Sequence, residues 1–219
     1  MNPSADAPPS IAALPSRFNG ILFRSRLEAR WAVFFDALGI QWLYEHEGFS
    51  LPERVVDDTM GRTRIVPARA YLPDFYLPDL ECWVEIKPPL ASDATWAAQE
   101  VVDSLDSLPG RWAAIYGPPG YRETDSHAVP WHTEVWWLYR GFVQCDCDYL
   151  WCICAECEAI GFQHDGRSAR NHHNVACSVG RARTAGDFES KSYSDKNYCA
   201  AHPLLIAAAD RAMSWRFSR

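Results

Sequence analysis

Between Tyr71 and Pro89 the chain reads YLPDFYLPDLECWVEIKPP, two strand-like runs parted by a turn at Pro78-Asp79. Side chains alternate between the two faces of a strand. In the second run, Cys82–Ile86 ending at Lys87, Glu85 and Lys87 therefore leave one face, and Val84 and Ile86 the other. Asp74, beside Pro73 in the middle of the first run (70–77), is available from the neighbouring strand. Carboxylates that converge repel one another unless a cation lies between them. Oxygen donors of this kind suit Mg²⁺ or Mn²⁺. A lysine next to such a site positions water or neutralises charge that develops on a phosphoryl group. The plainer alternative is a hairpin whose charged residues merely face solvent.

Upstream lies FRSRLEARWAVFFDALGIQWLYEHEGF. Apolar residues at 23, 27, 31, 34, 35 and 38 predict a helix that starts near Ser25 and stops at Gly39. Glu28 adjoins the apolar stripe, which places it at the edge where helix meets sheet; otherwise it is a surface partner for Arg24, four residues earlier. Asp36, two turns on, is expected at the surface. Together with Pro73-Asp74 and Glu85-Ile86-Lys87, this segment resembles the PD-(D/E)XK nuclease superfamily. The resemblance is to bacterial and phage members, relatives of the transposon-end-cutting endonucleases among them, and spans residues 20–117. It implies a restriction-endonuclease-like α/β mixed-sheet sandwich and a metal-dependent phosphodiester hydrolase. It also implies roles: Glu28, Asp74 and Glu85 as ligands for Mg²⁺ or Mn²⁺, and Lys87 assisting the attacking water.

The remaining elements suit an α/β fold. Gln41–Tyr44 reads as a short strand, and 45–69 as a loop or irregular hairpin turning at Gly61. Ser92 or Asp93 would cap a helix running to Leu108. Arg111–Tyr116 is then a strand parallel to the one that carries Glu85, since a helix-length crossover separates them. Thr133–Tyr139 is expected to close the sheet edge, with Trp136 and Trp137 packing into a core or offering a base-stacking platform. His202–Trp215 predicts a short helix with Leu204, Leu205, Ala208 and Ala212 on one face.

Charge is uneven. The net value is −7, yet residues 160–219 carry nine Lys or Arg against five acids, while 91–150 carry three Arg against nine acids. Acids at a metal site are cancelled once cations bind, so the total weakens a nucleic-acid partner without removing it. Arg24, Arg26 and Arg30 share the first helix with Glu28 and are the candidate phosphate contacts. The expected partner is nucleic acid, in the form of DNA, with a further protein for targeting and no membrane. No apolar run of membrane-spanning length and no secretory signal is present, so the expected location is the cytoplasm of a bacterium or phage-infected host. A second function class stays open beside the enzyme, a catalytically inactive nuclease-like factor that binds nucleic acid or protein. A zinc hydrolase built on the cysteines is disfavoured, because no HExxH and no H-x-E paired with PCxxC occurs.

Seven of the eight cysteines fall at or after position 145. The expected organisation is a loose tail at 1–19, a nuclease-like domain at 20–144, and a Cys/His-rich zinc module with a terminal helix at 145–219. Cys154-Ala-Glu-Cys157 has the spacing of a zinc knuckle and Cys177 supplies a distal ligand. Cys152, His172 and His173 compete for the fourth place, with Cys199 and His202 behind them. Disulfides, or buried thiols with no ion, are the competing readings. One tightly held structural Zn²⁺ per chain is the expected outcome of elemental analysis on protein purified without added metal. Cys154→Ser should lose that zinc and raise protease sensitivity beyond residue 145, because metal binding there is folding free energy.

Overall fold

The computed structural model describes residues 13–57, 63–88, 110–123, 128–130, 134–139, 142–153, 160–164 and 202–218. The architecture they form is mixed α/β. Its helix α1 (Arg26–Ala37) begins at Ser25, whose side chain accepts the Glu28 N–H at 3.1 Å. It ends where the chain reverses through Gly39 at φ +69°. Trp31, Phe34 and Phe35 of the apolar stripe are essentially inaccessible, as are Ala32 and Val33 beside it, while Leu27 and Leu38 are half-buried.

That stripe lies on a seven-stranded sheet. Its strands are β3 (Leu43–Tyr44), β8 (Phe75–Leu77), β9 (Cys82–Lys87), β10 (Arg111–Tyr116), β13 (Glu134–Tyr139), β14 (Phe142–Ile153) and β15 (Ile160–His164). The order across the sheet is β15-β14-β13-β10-β9-β8-β3. Among the described strands only the β9–β10 pair is parallel, with Trp112 beside Trp83 and Ala114 beside Glu85. The expected parallel relation of Arg111–Tyr116 to the Glu85 strand is therefore observed. The helix expected at 92–108 lies outside the described residues.

Alternation divides the two faces. Phe75, Leu77, Cys82, Val84, Ile86, Ala113 and Ile115 join α1 in one apolar cluster. Tyr76, Trp83, Glu85, Lys87, Trp112 and Ala114 belong to the opposite face. The reversal from β8 to β9 uses a 3₁₀ turn (Pro78–Leu80) and Glu81 in the left-handed region, at φ 48°.

Two expectations change. The 70–77 run is broken rather than continuous: β7 (Arg69–Tyr71) pairs with β4 (Phe49–Leu51), and β8 starts only at Phe75. Pro73 lacks an N–H for a ladder, and the Asp74 carboxylate turns to the Ile86 N–H instead. The 45–69 segment takes the hairpin form of the two expected, with β5 (Arg54–Asp57) paired antiparallel to β6 (Thr63–Val66), besides holding β4. Lastly, β13 does not close the sheet, because β14 and β15 continue it beyond. Position 145, where the composition changes, falls inside β14.

A second helix, α2 (Pro203–Ser214), starts with the His202 ring accepting the Leu204 N–H, and Pro203 occupies the first turn. Leu205, Ala208, Ala209 and Ala212 are buried in the same cluster as Phe34 and Trp151. The small residues let α2 lie close against its neighbours. Among the described residues no helix is long and apolar enough to cross a membrane. Leu205 is wholly inaccessible, so Leu205→Ala should cost about 2–5 kcal/mol in urea unfolding if α2 is integral to the core. An unchanged midpoint would show that α2 is dispensable.

Candidate active site

Asp74, Glu85 and Glu28 are the buried acidic side chains among the described residues, at 3%, 5% and 8% exposure. Three elements bring them together. Glu85 comes from the centre of β9, Asp74 from the residue just before β8, and Glu28 from the first turn of α1. The carboxylate of Asp74 accepts the Ile86 N–H at Oδ2 (2.7 Å) and the Arg24 Nη2 at Oδ1 (2.8 Å). Glu85 accepts from the Tyr71 hydroxyl at Oε2 (2.5 Å) and from Lys87 Nζ at Oε1. Glu28 Oε2 accepts from the Tyr44 hydroxyl (2.6 Å) and the Arg24 main-chain N–H (3.2 Å).

The Ser25-Arg26-Leu27-Glu28 string is thus close to a capping box. Serine meets the Glu28 N–H, while the glutamate reaches back to an N–H ahead of the helix. Glu28 and Arg24 are in contact, but through the arginine main chain. The guanidinium is directed elsewhere. Its Nε lies 2.7 Å from Glu45 Oε1, off the hydrogen-bond direction, so that buried oxygen has an ionic neighbour but no directed bond.

Glu45, Tyr44 and Tyr71 were not anticipated from sequence. Tyr44 and Tyr71 reach the acids from positions 16 and 14 residues away, and no local pattern reveals such pairs. Glu45 carried one signal only in retrospect: it is a carboxylate at a strand end, one residue beyond β3. Its φ is +46°, and its N–H donates to the Asp74 carbonyl at 3.0 Å.

The remaining face is aromatic. Trp83 stacks on Trp112 with ring centres 5.8 Å apart, Phe49 meets both edge-on, and Tyr76 lies 4.5 Å from Trp83. Tyr71 touches Trp112 at the margin of this layer. The acids therefore sit beside apolar rings in a poorly solvated setting. Burial, followed by the negative charges of Glu85 and Glu28, holds Asp74 well above the usual carboxylate range, although the Ile86 N–H and Lys87 oppose the shift. Burial and the adjacent Glu85 raise Tyr71, and burial with the Glu28 hydrogen bond raises Tyr44, so both phenols remain proton donors.

The other sequence candidates are placed differently. Arg24 is at the acids but more than half exposed, and Arg26 is exposed at the start of α1. Arg30 is half-buried, with an Nε that has no hydrogen-bond partner; burial and the neighbouring Arg26 lower its pKa. Asp36 is exposed and accepts from Asn19 Nδ2. Cys152 lies on β14, paired with Gly161 of β15. Cys154, Cys157, His172 and Cys177 lie outside the described residues.

Among the described residues, no three His, Cys, Asp or Glu side chains converge as a ready ligand set. Asp74, Glu85 and Glu28 each lean on a different partner. The donor chemistry nevertheless suits a hard cation. Arg24 pairs with Asp74 and Glu45, Lys87 pairs with Glu85, and Glu28 meets Arg24 only at its main chain, so four carboxylates face two cations and leave a charge that a divalent ion would balance. Comparison of the chain with protein-family models, curated proteins and solved structures returned no match. The functional reading therefore stands on this chain's own residues.

A raised Asp74 favours the folded state only while it is protonated. That contribution is full below the unfolded value of about 3.9 and is lost as pH rises through the folded value. In chelator, Asp74→Asn should therefore melt at or above the parent at pH 8, by about 1 kcal/mol, with the gap closing toward pH 5. A variant less stable than the parent at pH 8 would mean that the Arg24 ion pair outweighs the repulsion.

Proposed function

We propose that the chain is a divalent-metal-dependent nuclease of the PD-(D/E)XK kind, hydrolysing phosphodiester bonds in DNA. The observation that carries this reading is the burial of Asp74 and Glu85 side by side, with Lys87 on Glu85 and the neighbouring acids incompletely neutralised. Asp74 and Glu85, with Glu28 at the edge, would hold Mg²⁺ or Mn²⁺. Such an ion supplies Lewis acidity toward a phosphoryl oxygen and toward a bound water.

The protein's own groups act around it. Ile86, through its N–H, fixes one oxygen of Asp74, and Tyr71 fixes one oxygen of Glu85, so neither carboxylate swings freely. Lys87, one-third exposed against a buried Glu85, presents positive charge at the mouth of the acidic pair. There it can hold the attacking water by hydrogen bonding and offset the negative charge that grows on the phosphoryl oxygens. The wall formed by Trp83 and Trp112 keeps bulk water from one side, which strengthens these interactions. Arg26, exposed near the same helix end, suits a backbone phosphate contact. The cysteine-rich segment from Cys152 onward is proposed to hold a structural Zn²⁺ and to engage DNA or a targeting partner.

One observation favours a second reading, a catalytically inactive nuclease-like binding factor. Arg24 already occupies Asp74, as a permanent cation would. A cleavage assay separates the two. Purified protein should cut DNA only with a divalent cation, and Asp74→Ala, Glu85→Ala and Lys87→Ala should each lower the rate by at least about 10²-fold with the fold intact. DNA binding without cleavage under any divalent ion would favour the second reading.

A further inference from the structure

Arg24 makes contacts that neither a helix cap nor a phosphate clamp requires. Its Nη2 lies 2.8 Å from Asp74 Oδ1, while its Nε lies 2.7 Å from Glu45 Oε1. One guanidinium thus spans two carboxylates of unlike environment, since the Asp74 side chain is 4% exposed and that of Glu45 28%. We propose that Arg24 is the exchangeable counter-cation of the acidic pocket: a divalent ion takes Asp74 from it, and Glu45 is the anchor that retains the guanidinium. The proposal rests on the reading of Asp74 and Glu85 as metal ligands, and it adds a residue that controls entry to them.

Four features support the exchange. Oδ1 of Asp74 is the oxygen Arg24 holds, whereas Oδ2 is held by the Ile86 N–H. An incoming ion must therefore compete with Arg24 for Oδ1, and two cations on one carboxylate oxygen repel. The Arg24 main chain is gripped by Glu28 and Tyr44, which confines any movement to the side chain. That side chain is 56% exposed, so its path away from Asp74 leads toward water. The fourth feature is Glu45 itself. It adopts φ +46°, a region seldom used by residues other than Gly, Asn and Asp, and its N–H is tied to the Asp74 carbonyl. A backbone held in that conformation fixes the second carboxylate close to the first. Its Oε1 is buried without a directed hydrogen bond, so it stands ready for a better-aligned guanidinium.

Metal binding by the full chain without nucleic acid tests the idea, with free Mn²⁺ followed by electron paramagnetic resonance. The parent should bind Mn²⁺ at a site that Asp74→Asn removes. Arg24→Met should bind it on the order of tenfold more tightly, because the competing charge is gone. Arg24→Lys, which keeps the charge but has a single nitrogen for two carboxylates, should fall between them. In the parent, the Arg24 Nε–Hε resonance should shift in step with a Mg²⁺ titration and stay still in Asp74→Asn, a readout that needs no Arg24 variant to fold. A folded Arg24→Met with unchanged or weaker Mn²⁺ binding, or an Arg24 resonance indifferent to Mg²⁺, would overturn the exchange while leaving the nuclease reading intact. No Asp74-dependent Mn²⁺ binding in either the parent or Arg24→Met would overturn both.

Discussion

Taking a carboxylate out of water costs several kcal/mol unless hydrogen bonds or opposite charge replace the lost solvent. Here three are buried within reach of one another. The surroundings answer that cost in three separate ways: main-chain N–H groups for Asp74 and Glu28, phenols for Glu28 and Glu85, and cations for Asp74 and Glu85. None of these removes the mutual repulsion, which adds to burial in raising Asp74 above the usual carboxylate range. A fold selected only for stability would have put apolar side chains here. The proposed metal-dependent chemistry would give these acids a reason to be buried together.

The position of Lys87 depends on more than its neighbour in β9. Gly117, just past the end of β10, donates its N–H to the Lys87 carbonyl at 2.9 Å and accepts the Trp31 indole N–H at its own carbonyl, also at 2.9 Å. A positive φ of 86° lets one residue face both ways, and glycine takes that conformation without penalty. Helix α1 is thereby joined to the strand ends that present the lysine. The same helix carries Glu28, so both sides of the pocket refer to one rigid element.

Sequence periodicity made much of this visible. The 3.6-residue stripe gave α1 to within a residue or so at each end, and strand parity correctly set Glu85 and Lys87 opposite Val84 and Ile86. Chain length between β9 and β10 was enough to make their pairing parallel. The misses share a cause. Tyr44 and Tyr71 act through contacts that no local spacing encodes, and Glu45 depends on a backbone torsion that its residue type does not favour. The strands β14 and β15 were hidden by composition, because a run of cysteines reads first as a metal site and only second as an alternating strand. Pro73 lacks the N–H that a ladder needs, so the strand begins only at Phe75 although the aromatic residues around it favour a longer one.

The placing of α2 bears on how the chain comes to be made. Residues 203–214 complete the apolar layer that supports α1, and the Arg17 N–H meets the Ser218 carbonyl across nearly the whole sequence. A ribosome releases the segments holding Glu28, Asp74, Glu85 and Lys87 well before it releases α2. Until then the helix bearing Glu28 lacks part of its packing. The helix bearing Glu28 therefore gains the last of its apolar cover only once residues 203–214 have been made.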